Sequence, residues 1–178
     1  TPFSQDGQQI VTVSGPMGRV WEVATGKELA ILRHGAKVVT ATFSLDGQQV
    51  MTVSEDKTVR MWEMVRGRVL ATLKDDGRVE TAVFNPDGKQ VLTVSEDQTV
   101  RVWDIEAMKE LVTLSHDRKV EAATFISDGQ QMLTVSGAVI RVWDVVTGKL
   151  VKTMQSTADT EVAGVSPDRQ WMVTVSNS

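Results

Sequence analysis

The sequence repeats itself with a period of about 40 residues, and this period constrains the fold more than any other feature. One phenylalanine marks the same place in successive copies, and a valine takes the fifth place. These markers are Phe3, Phe43, Phe84, Phe125 and Val165. The fullest copy reads V-L-T-V-S-E-D-Q-T-V-R-V-W-D over residues 91–104. A fixed period of this length indicates one supersecondary unit that is repeated and stacked on itself.

Each copy consists of short apolar runs separated by polar turns. An Asp-Gly pair at 46–47 and at 87–88 follows the marker phenylalanine, and such a pair between apolar runs favours a β-hairpin, because glycine adopts a positive φ without a steric penalty. The runs are rich in Val and Thr and alternate with a period of two, which is typical of strands. The sequence therefore predicts an all-β chain whose unit is a four-stranded antiparallel meander, with almost no helix.

The third run of each copy ends in tryptophan followed by an acidic residue. These pairs are Trp21-Glu22, Trp62-Glu63, Trp103-Asp104 and Trp143-Asp144. A period of about 40 residues with Trp-Asp at this place is the signature of WD repeats. The chain resembles a bacterial-type WD-repeat β-propeller over essentially its whole length. The resemblance implies a propeller of four-stranded antiparallel blades, with about four blades' worth of strands in this chain.

The repeat boundaries predict one propeller segment over residues 1–178. A partial blade at 1–35 precedes three blades at about 36–75, 76–116 and 117–156, and a second partial blade occupies 157–178. Propellers close into rings, which protects the edges of their sheets. Three arrangements stay open: several copies, with a dimer favoured, that share one ring; an excerpt of a longer propeller; and a four-bladed ring made by one chain.

Composition excludes several classes of function. The net charge of −4, with acidic and basic residues interspersed, argues against a nucleic-acid surface. No apolar run approaches about 18 residues and no leader is evident, so we expect neither a membrane span nor a signal peptide. The chain has no cysteine, which excludes disulfides and thiolate sites and is compatible with the cytoplasmic location that we expect. We expect no cofactor and no metal, since neither histidine has further ligands near it.

The resemblance also implies a buried polar network in each blade, made by a His, a Ser or Thr, an Asp and the repeat Trp. The whole set occurs in one copy as His34, Ser54, Asp56 and Trp62, with Thr52 as the alternative hydroxyl on the same face. The other copies keep parts of the set, namely Trp21, Ser95, Asp97, Trp103, His116 and Trp143. Such a network satisfies buried polar atoms. We prefer this structural role to a catalytic Ser-His-Asp triad.

Functional residues in this family tend to lie on the loops before the first strand and between the second and third strands. Seven of the eight matching positions here carry a charge, and the charges alternate in sign around the blades. These eight residues, which we call the rim, are Lys37, Val39, Glu55, Arg78, Glu80, Glu96, Lys119 and Glu121. Solvated salt bridges between blades would account for them, and so would a surface for a partner.

The predicted function is a non-enzymatic scaffold that binds a protein or peptide, as part of a larger propeller or regulatory protein. The alternative is a propeller fragment, natural or engineered, whose chains combine with one another into one multi-bladed ring. An enzyme with a site in the central funnel comes third. The charges predicted there repeat from blade to blade and single out no site.

Overall fold

The computed structural model describes residues 2–64, 66–126, 129–155, 160–165 and 172–176, and the last two ranges by their backbone alone. Throughout these ranges the regular elements are strands, and none of the residues lies in an α-helix. The prediction of an all-β fold is therefore confirmed. Accordingly, the described residues include no helix that could cross a membrane.

The strands pair antiparallel with their neighbours in the chain, so each sheet is a meander. The first sheet contains β1 (Gln9–Ser14), β2 (Met17–Glu22) and β3 (Glu28–Arg33). The second contains β4 (Val38–Phe43), β5 (Gln49–Ser54), β6 (Thr58–Glu63) and β7 (Arg68–Lys74).

The same order continues along the rest of the chain. The third sheet contains β8 (Val79–Phe84), β9 (Gln90–Ser95), β10 (Thr99–Asp104) and β11 (Lys109–Ser115). The fourth contains β12 (Ala122–Ile126), β13 (Gln131–Ser136), β14 (Val139–Asp144) and β15 (Leu150–Gln155). A fifth pair consists of β16 (Thr160–Val165) and β17 (Met172–Ser176). The four-stranded sheets are the blades that the repeat predicts.

The second strand of each four-stranded sheet is buried along nearly its whole length. β5, β9 and β13 each have five consecutive buried residues after a half-buried glutamine. The outermost strand is mostly exposed, as in β15, where five of the six residues are exposed and Met154 is half-buried. Burial on both faces of a strand favours β-branched residues, which explains the density of Val and Thr in these runs.

The chain divides after Ala82 into two compact units, and each unit has its own hydrophobic core. In the first unit the core joins the first two sheets. It contains Val11, Val20, Leu32, Phe43, Val50 and Trp62. In the second unit the larger cluster draws on the third and fourth sheets. It contains Leu92, Val94, Val100, Val102, Leu114, Val120, Ala123, Phe125, Met132 and Val145. A sheet of this size therefore buries its apolar faces against a neighbouring copy.

A β-bulge recurs between the strand that carries the repeat tryptophan and the outer strand that follows it, directly before the tryptophan. The register shifts lie at Val20/Trp21, Met61/Trp62, Val102/Trp103 and Val142/Trp143. A bulge bends its strand locally and redirects the side chain that follows. The repeated bulge thus gives every copy the same local geometry around its tryptophan.

Candidate functional site

A threonine on the strand directly before the tryptophan strand accepts a hydrogen bond from the repeat tryptophan in every copy that has this Trp. The Nε1–Oγ1 distances are 2.8 Å for Trp21 and Thr12, 2.8 Å for Trp62 and Thr52, 3.0 Å for Trp103 and Thr93, and 2.9 Å for Trp143 and Thr134. Three of these threonines are fully buried, and Thr12 is exposed. A buried indole N–H needs an acceptor, which explains why the threonine recurs with the tryptophan.

The fullest polar cluster lies in the first unit, around His34. Its Nε2 lies 2.6 Å from Thr52 Oγ1, and its Nδ1 lies 3.2 Å from Asp56 Oδ2. The Gly35 amide donates to Asp56 Oδ2 at 2.9 Å, and the Thr58 hydroxyl donates to Asp56 Oδ1 at 2.5 Å. The cluster therefore joins the loop before β4, the strand β5 and the turn before β6.

The charges in this cluster follow from burial and hydrogen bonding. Burial alone would raise the pKa of Asp56, but hydrogen bonds from Thr58 and the Gly35 amide, together with His34, lower it to about 2. Burial lowers the pKa of His34 although Asp56 acts in the opposite direction. At neutral pH the carboxylate is consequently charged and the imidazole is neutral.

Ser54 lies outside the hydrogen bonds that join His34 to Trp62. Its hydroxyl donates to the Ala36 carbonyl at 3.2 Å and accepts from the Asp56 amide at 3.2 Å. It therefore fastens the loop before β4 to the turn after β5. The hydroxyl that contacts both His34 and Trp62 is that of Thr52, the alternative that the sequence offered beside Ser54.

The third sheet lacks a histidine at the corresponding place, and an arginine partners its turn aspartate. Arg101 is 5% exposed, and its Nη2 lies 2.9 Å from Asp97 Oδ2. Burial acts to raise the pKa of Asp97, but hydrogen bonds from Thr99 and Arg101 outweigh it and lower the pKa. The Ser95 hydroxyl is buried and makes no hydrogen bond, so it takes no part in this cluster. Arg101 was not among the network residues that the sequence predicts.

In the fourth sheet the histidine is present but the turn aspartate is missing. His116 Nε2 lies 2.9 Å from Thr134 Oγ1, while Nδ1 is buried without a hydrogen-bond partner. The turn after β13 contains Gly137 and has no Asp like that of the turns after β5 and β9. The Gly137 amide donates to the Glu121 carboxylate at 2.9 Å. Burial and the positive charge of Arg141 lower the pKa of His116.

These clusters stabilise the fold, because the atoms that would have to react with a substrate are buried. The Thr52 hydroxyl is 0% exposed and already contacts both His34 and Trp62. A nucleophile must reach a substrate, so this arrangement does not work as a triad. The parts of the chain that the structure describes contain no group of three or more His, Cys, Asp or Glu side chains that could hold a metal.

The rim is for the most part exposed. Six of its residues are exposed, namely Lys37, Glu55, Arg78, Glu96, Lys119 and Glu121, whereas Val39 and Glu80 are half-buried. The structure brings Arg78 and Glu55 together, with 2.7 Å between Nη2 and Oε1. The Glu121 carboxylate accepts a hydrogen bond from the Gly137 amide. Some rim residues therefore make contacts within the chain while their side chains stay open to solvent.

Comparison with known proteins places the chain in a family. No curated protein matches it. A family model described as WD domain, G-beta repeat matches residues 26–63, 67–104 and 108–144, which together make up more than half of the chain. Each match begins before the outer strand of one sheet and ends with the Trp-acid pair of the next. Repeats of this kind build β-propeller scaffolds that mediate protein interactions. The chain therefore belongs to the WD40 repeat family.

Proposed function

We propose that this chain is a non-enzymatic scaffold that binds a protein or peptide through its rim. The observation that carries the proposal is the contrast between the exposed rim side chains and the fixed backbone beneath them. The Glu55 amide donates to the Lys37 carbonyl at 2.9 Å, and the next residue, Asp56, is held by His34, Thr58 and Gly35. Loops that are held in place before binding lose little conformational entropy when a partner docks.

The charges of the rim define the chemistry of the partner. Lys37, Glu55 and Arg78 alternate in sign in the first unit, and Lys119 and Glu121 do so in the second. Exposed charges of this kind contribute more to association rate and specificity than to affinity. We therefore expect a partner whose surface also alternates in charge, and binding that weakens as salt increases.

Capture of partners from a lysate of the source cell tests the proposal, with the Lys37→Glu variant as the rim change. Lys152→Glu is the matched control, because Lys152 is also exposed but lies on the outer strand β15. We expect wild type and the Lys152 variant to retain the same protein at low salt, and the Lys37 variant to lose it. Retention of nothing beyond chaperones at any salt would count against the proposal, as would equal retention by all three.

Self-association is the second candidate, and the outer strands favour it. Exposed apolar side chains on these strands include Leu29, Ile31, Val69, Leu70, Leu111, Leu150 and Val151. Apolar residues on an edge strand are a surface on which another copy can pair. Light scattering that gives one sharp multimer mass would support this candidate, and a monomer mass would remove it. A place within a larger regulatory protein, and a cytoplasmic location, stay predictions from the sequence.

A further inference from the structure

β1 takes the same place in its repeat as β5, β9 and β13, but no full inner strand pairs with it. The first sheet has the order β1-β2-β3, so β1 is an edge strand. Pro2 and Phe3 pair with its beginning, since the Val11 amide donates to the Pro2 carbonyl at 2.8 Å and Phe3 forms a bridge with Ile10. Beyond Val11, none of the described strands pairs with the inner edge of β1.

The backbone N–H and C=O groups of Val13 point toward this open edge. Successive residues of a strand direct these groups to opposite sides. The Val11 amide faces away from β2, because it bonds to Pro2, and Val13 lies two residues further in the same orientation. An edge with open backbone groups is a template on which a further strand can pair.

The open edge also exposes an apolar side chain. Val13 is 41% exposed. The valines at the equivalent place of the other repeats are at most 1% exposed, namely Val53, Val94 and Val135. An inner strand pairs beside each of these three valines in the four-stranded sheets. The exposure of Val13 therefore reflects the lack of such a strand.

A groove of about 310 Å³ lies beside this edge, within the first unit. Pro2, Val11 and Val13 line one side, and residues 39–42 of β4 line the other. None of these described residues is charged, and all of them are small or of medium size. Such walls fit an extended segment whose side chains are also small and mainly apolar.

The complete blades show which kind of segment pairs with a strand like β1. β1 has the sequence Q-I-V-T-V-S, and β5 has Q-V-M-T-V-S. The partner of β5 is β4, V-V-T-A-T-F, which ends at the marker Phe43 and pairs antiparallel. β12 pairs with β13 in the same orientation. We expect β1 to accept a strand of this kind.

β16 is a strand of this kind that lies outside a four-stranded sheet. It has the sequence T-E-V-A-G-V, ends at the marker Val165 and pairs with β17. β17 has the sequence M-V-T-V-S, so it takes the same place in its repeat as β1. Exchange of β17 for β1 would join β16 to β1, β2 and β3 in a four-stranded sheet. Sheets of three or more strands are more stable than a pair.

We propose that the inner edge of β1 pairs with β16 of a second copy of this chain. In the single chain β16 stays with β17 and the groove beside β1 is open, so the strand that fills it comes from another molecule. Backbone hydrogen bonds along the edge supply affinity, and alternate side chains in the groove supply specificity. The contact is a surface for self-association other than the outer strands, and it does not rest on the rim.

Light scattering of the whole purified chain, together with hydrogen exchange of its backbone amides, tests the inference. We expect one sharp mass at a multiple of 19.5 kDa, and slow exchange of the Val13 amide in that multimer. Val13→Pro removes the N–H that faces the groove and leaves the bonds from β1 to β2 in place, so this variant should be a monomer. Val13→Lys should also be a monomer, because a partner strand would bury the added charge.

Ile31→Pro is the matched control on the opposite edge. Ile31 lies on β3, the outer strand of the same sheet, and by the same alternation its N–H points to the outer edge. Its side chain is 38% exposed, close to the exposure of Val13. The Ile31 variant should keep the multimer mass. Circular dichroism spectra like that of wild type would verify that all three variants are folded.

A mixture of two variants tests the identity of the strand. Val162→Pro interrupts β16 and leaves β1 intact, whereas Val13→Pro does the reverse. Each variant alone should be a monomer. Mixed in equal amounts, they should form a complex with the mass of two chains, because one chain supplies β16 and the other supplies β1.

Several results would overturn the inference. A monomeric wild type with fast exchange at Val13 would show that no copy pairs there, and a monomer with slow exchange would show that the chain's own β16 fills the groove. Multimers that persist in both Val13 variants, or that only Ile31→Pro removes, would place self-association elsewhere. Failure of the mixture to form a complex would exclude β16. Lys37→Glu should leave the multimer mass unchanged, so failure of the rim scaffold is read separately.

Discussion

His34 and Thr52 are joined by a short hydrogen bond, with 2.6 Å between Nε2 and Oγ1. Asp56 accepts from the other ring nitrogen, so the proton of the neutral imidazole lies on Nδ1 and Nε2 accepts from the Thr52 hydroxyl. The same hydroxyl oxygen accepts from Trp62 at 2.8 Å. One buried oxygen atom therefore satisfies two ring nitrogens from different parts of the repeat.

Replacement of Thr52 by valine should destabilise the chain by roughly 2–5 kcal/mol, because two buried nitrogens lose their partner at once. Urea denaturation followed by tryptophan fluorescence measures this change. The Thr12→Val variant is the control, since the bond from Trp21 to Thr12 is exposed and water can replace it. The Thr12→Val substitution should lower the free energy of unfolding by less than about 1 kcal/mol. Equal losses in the two variants would contradict the assignment of Thr52 as the buried link.

Replacement of Gln98 by glycine should stabilise the chain by about 1 kcal/mol, because a residue with a side chain is strained in the left-handed region. Gln98 has a φ of 66° in the turn between β9 and β10, and its side chain is exposed. Its backbone bonds to Ser95 and His116 need no side chain. Thermal and urea unfolding measure the change, with Gln98→Val as the opposite control, which should destabilise. A neutral or destabilising glycine would show that the turn is relaxed with Gln98.

The repeat was readable from the sequence because its signals are local. Asp-Gly turns, runs of Val and Thr and the Trp-acid pair each act over a few residues, and together they predict the four-stranded meander that the structure has. The choice between Thr52 and Ser54 is of another kind. Both residues lie on the same face of β5, and the partner of Trp62 depends on the register across β6 and on the bulge at Met61/Trp62. A period-two pattern does not determine that register.

The pairing of Arg101 with Asp97 also went unpredicted, for a related reason. An arginine stands two residues before Trp in every copy, so the sequence does not distinguish Arg101 from Arg60. The structure does distinguish them. Arg101 Nη2 lies 2.9 Å from Asp97, whereas Arg60 Nη2 lies 3.9 Å from Asp56, where the imidazole of His34 already contacts the carboxylate. The partner of a long side chain therefore depends on which neighbouring groups are already paired.

Replacement of Asp97 by asparagine should destabilise more than replacement of Glu55 by glutamine. Asp97 is the nearer of two carboxylates that pair with a nearly buried guanidinium, the other being Glu110 at 3.6 Å. Loss of the Asp97 charge should cost about 1–3 kcal/mol, reduced from the buried limit because Glu110 remains and because the Asp97 side chain is 32% exposed. The pair of Glu55 with Arg78 is exposed on both sides, so the Glu55 variant should lose less than about 1 kcal/mol. Urea unfolding at low and high salt measures both. If the two losses were equal, burial of Arg101 would have no energetic consequence.

His116 differs from His34 in what a proton would meet. The positive charge of a protonated His34 would lie beside the Asp56 carboxylate, whereas Nδ1 of His116 is buried without a hydrogen-bond partner. Arg141 disfavours protonation of His116, whereas the backbone of Leu114, the backbone of Gln98 and the exposed Asp117 favour it. Burial is the largest effect, and it lowers the pKa of both histidines below the ordinary value of 6.5. The folded chain therefore binds these protons more weakly than the unfolded chain does.

The stability of the chain should consequently be complete above a pH of about 6.5 and fall as the pH decreases below that value, until the folded pKa is reached. Replacement of His116 by glutamine should flatten this decline between about pH 7.5 and 5, a window above the titration of the carboxylates. The His34→Gln variant should flatten it less, since Asp56 offsets the burial of His34, but should lose more stability at pH 7.5. Urea unfolding across this window measures both effects. A decline that is unchanged in the His116 variant, or removed equally by either substitution, would show that His116 is not the acid-sensitive group of the fold.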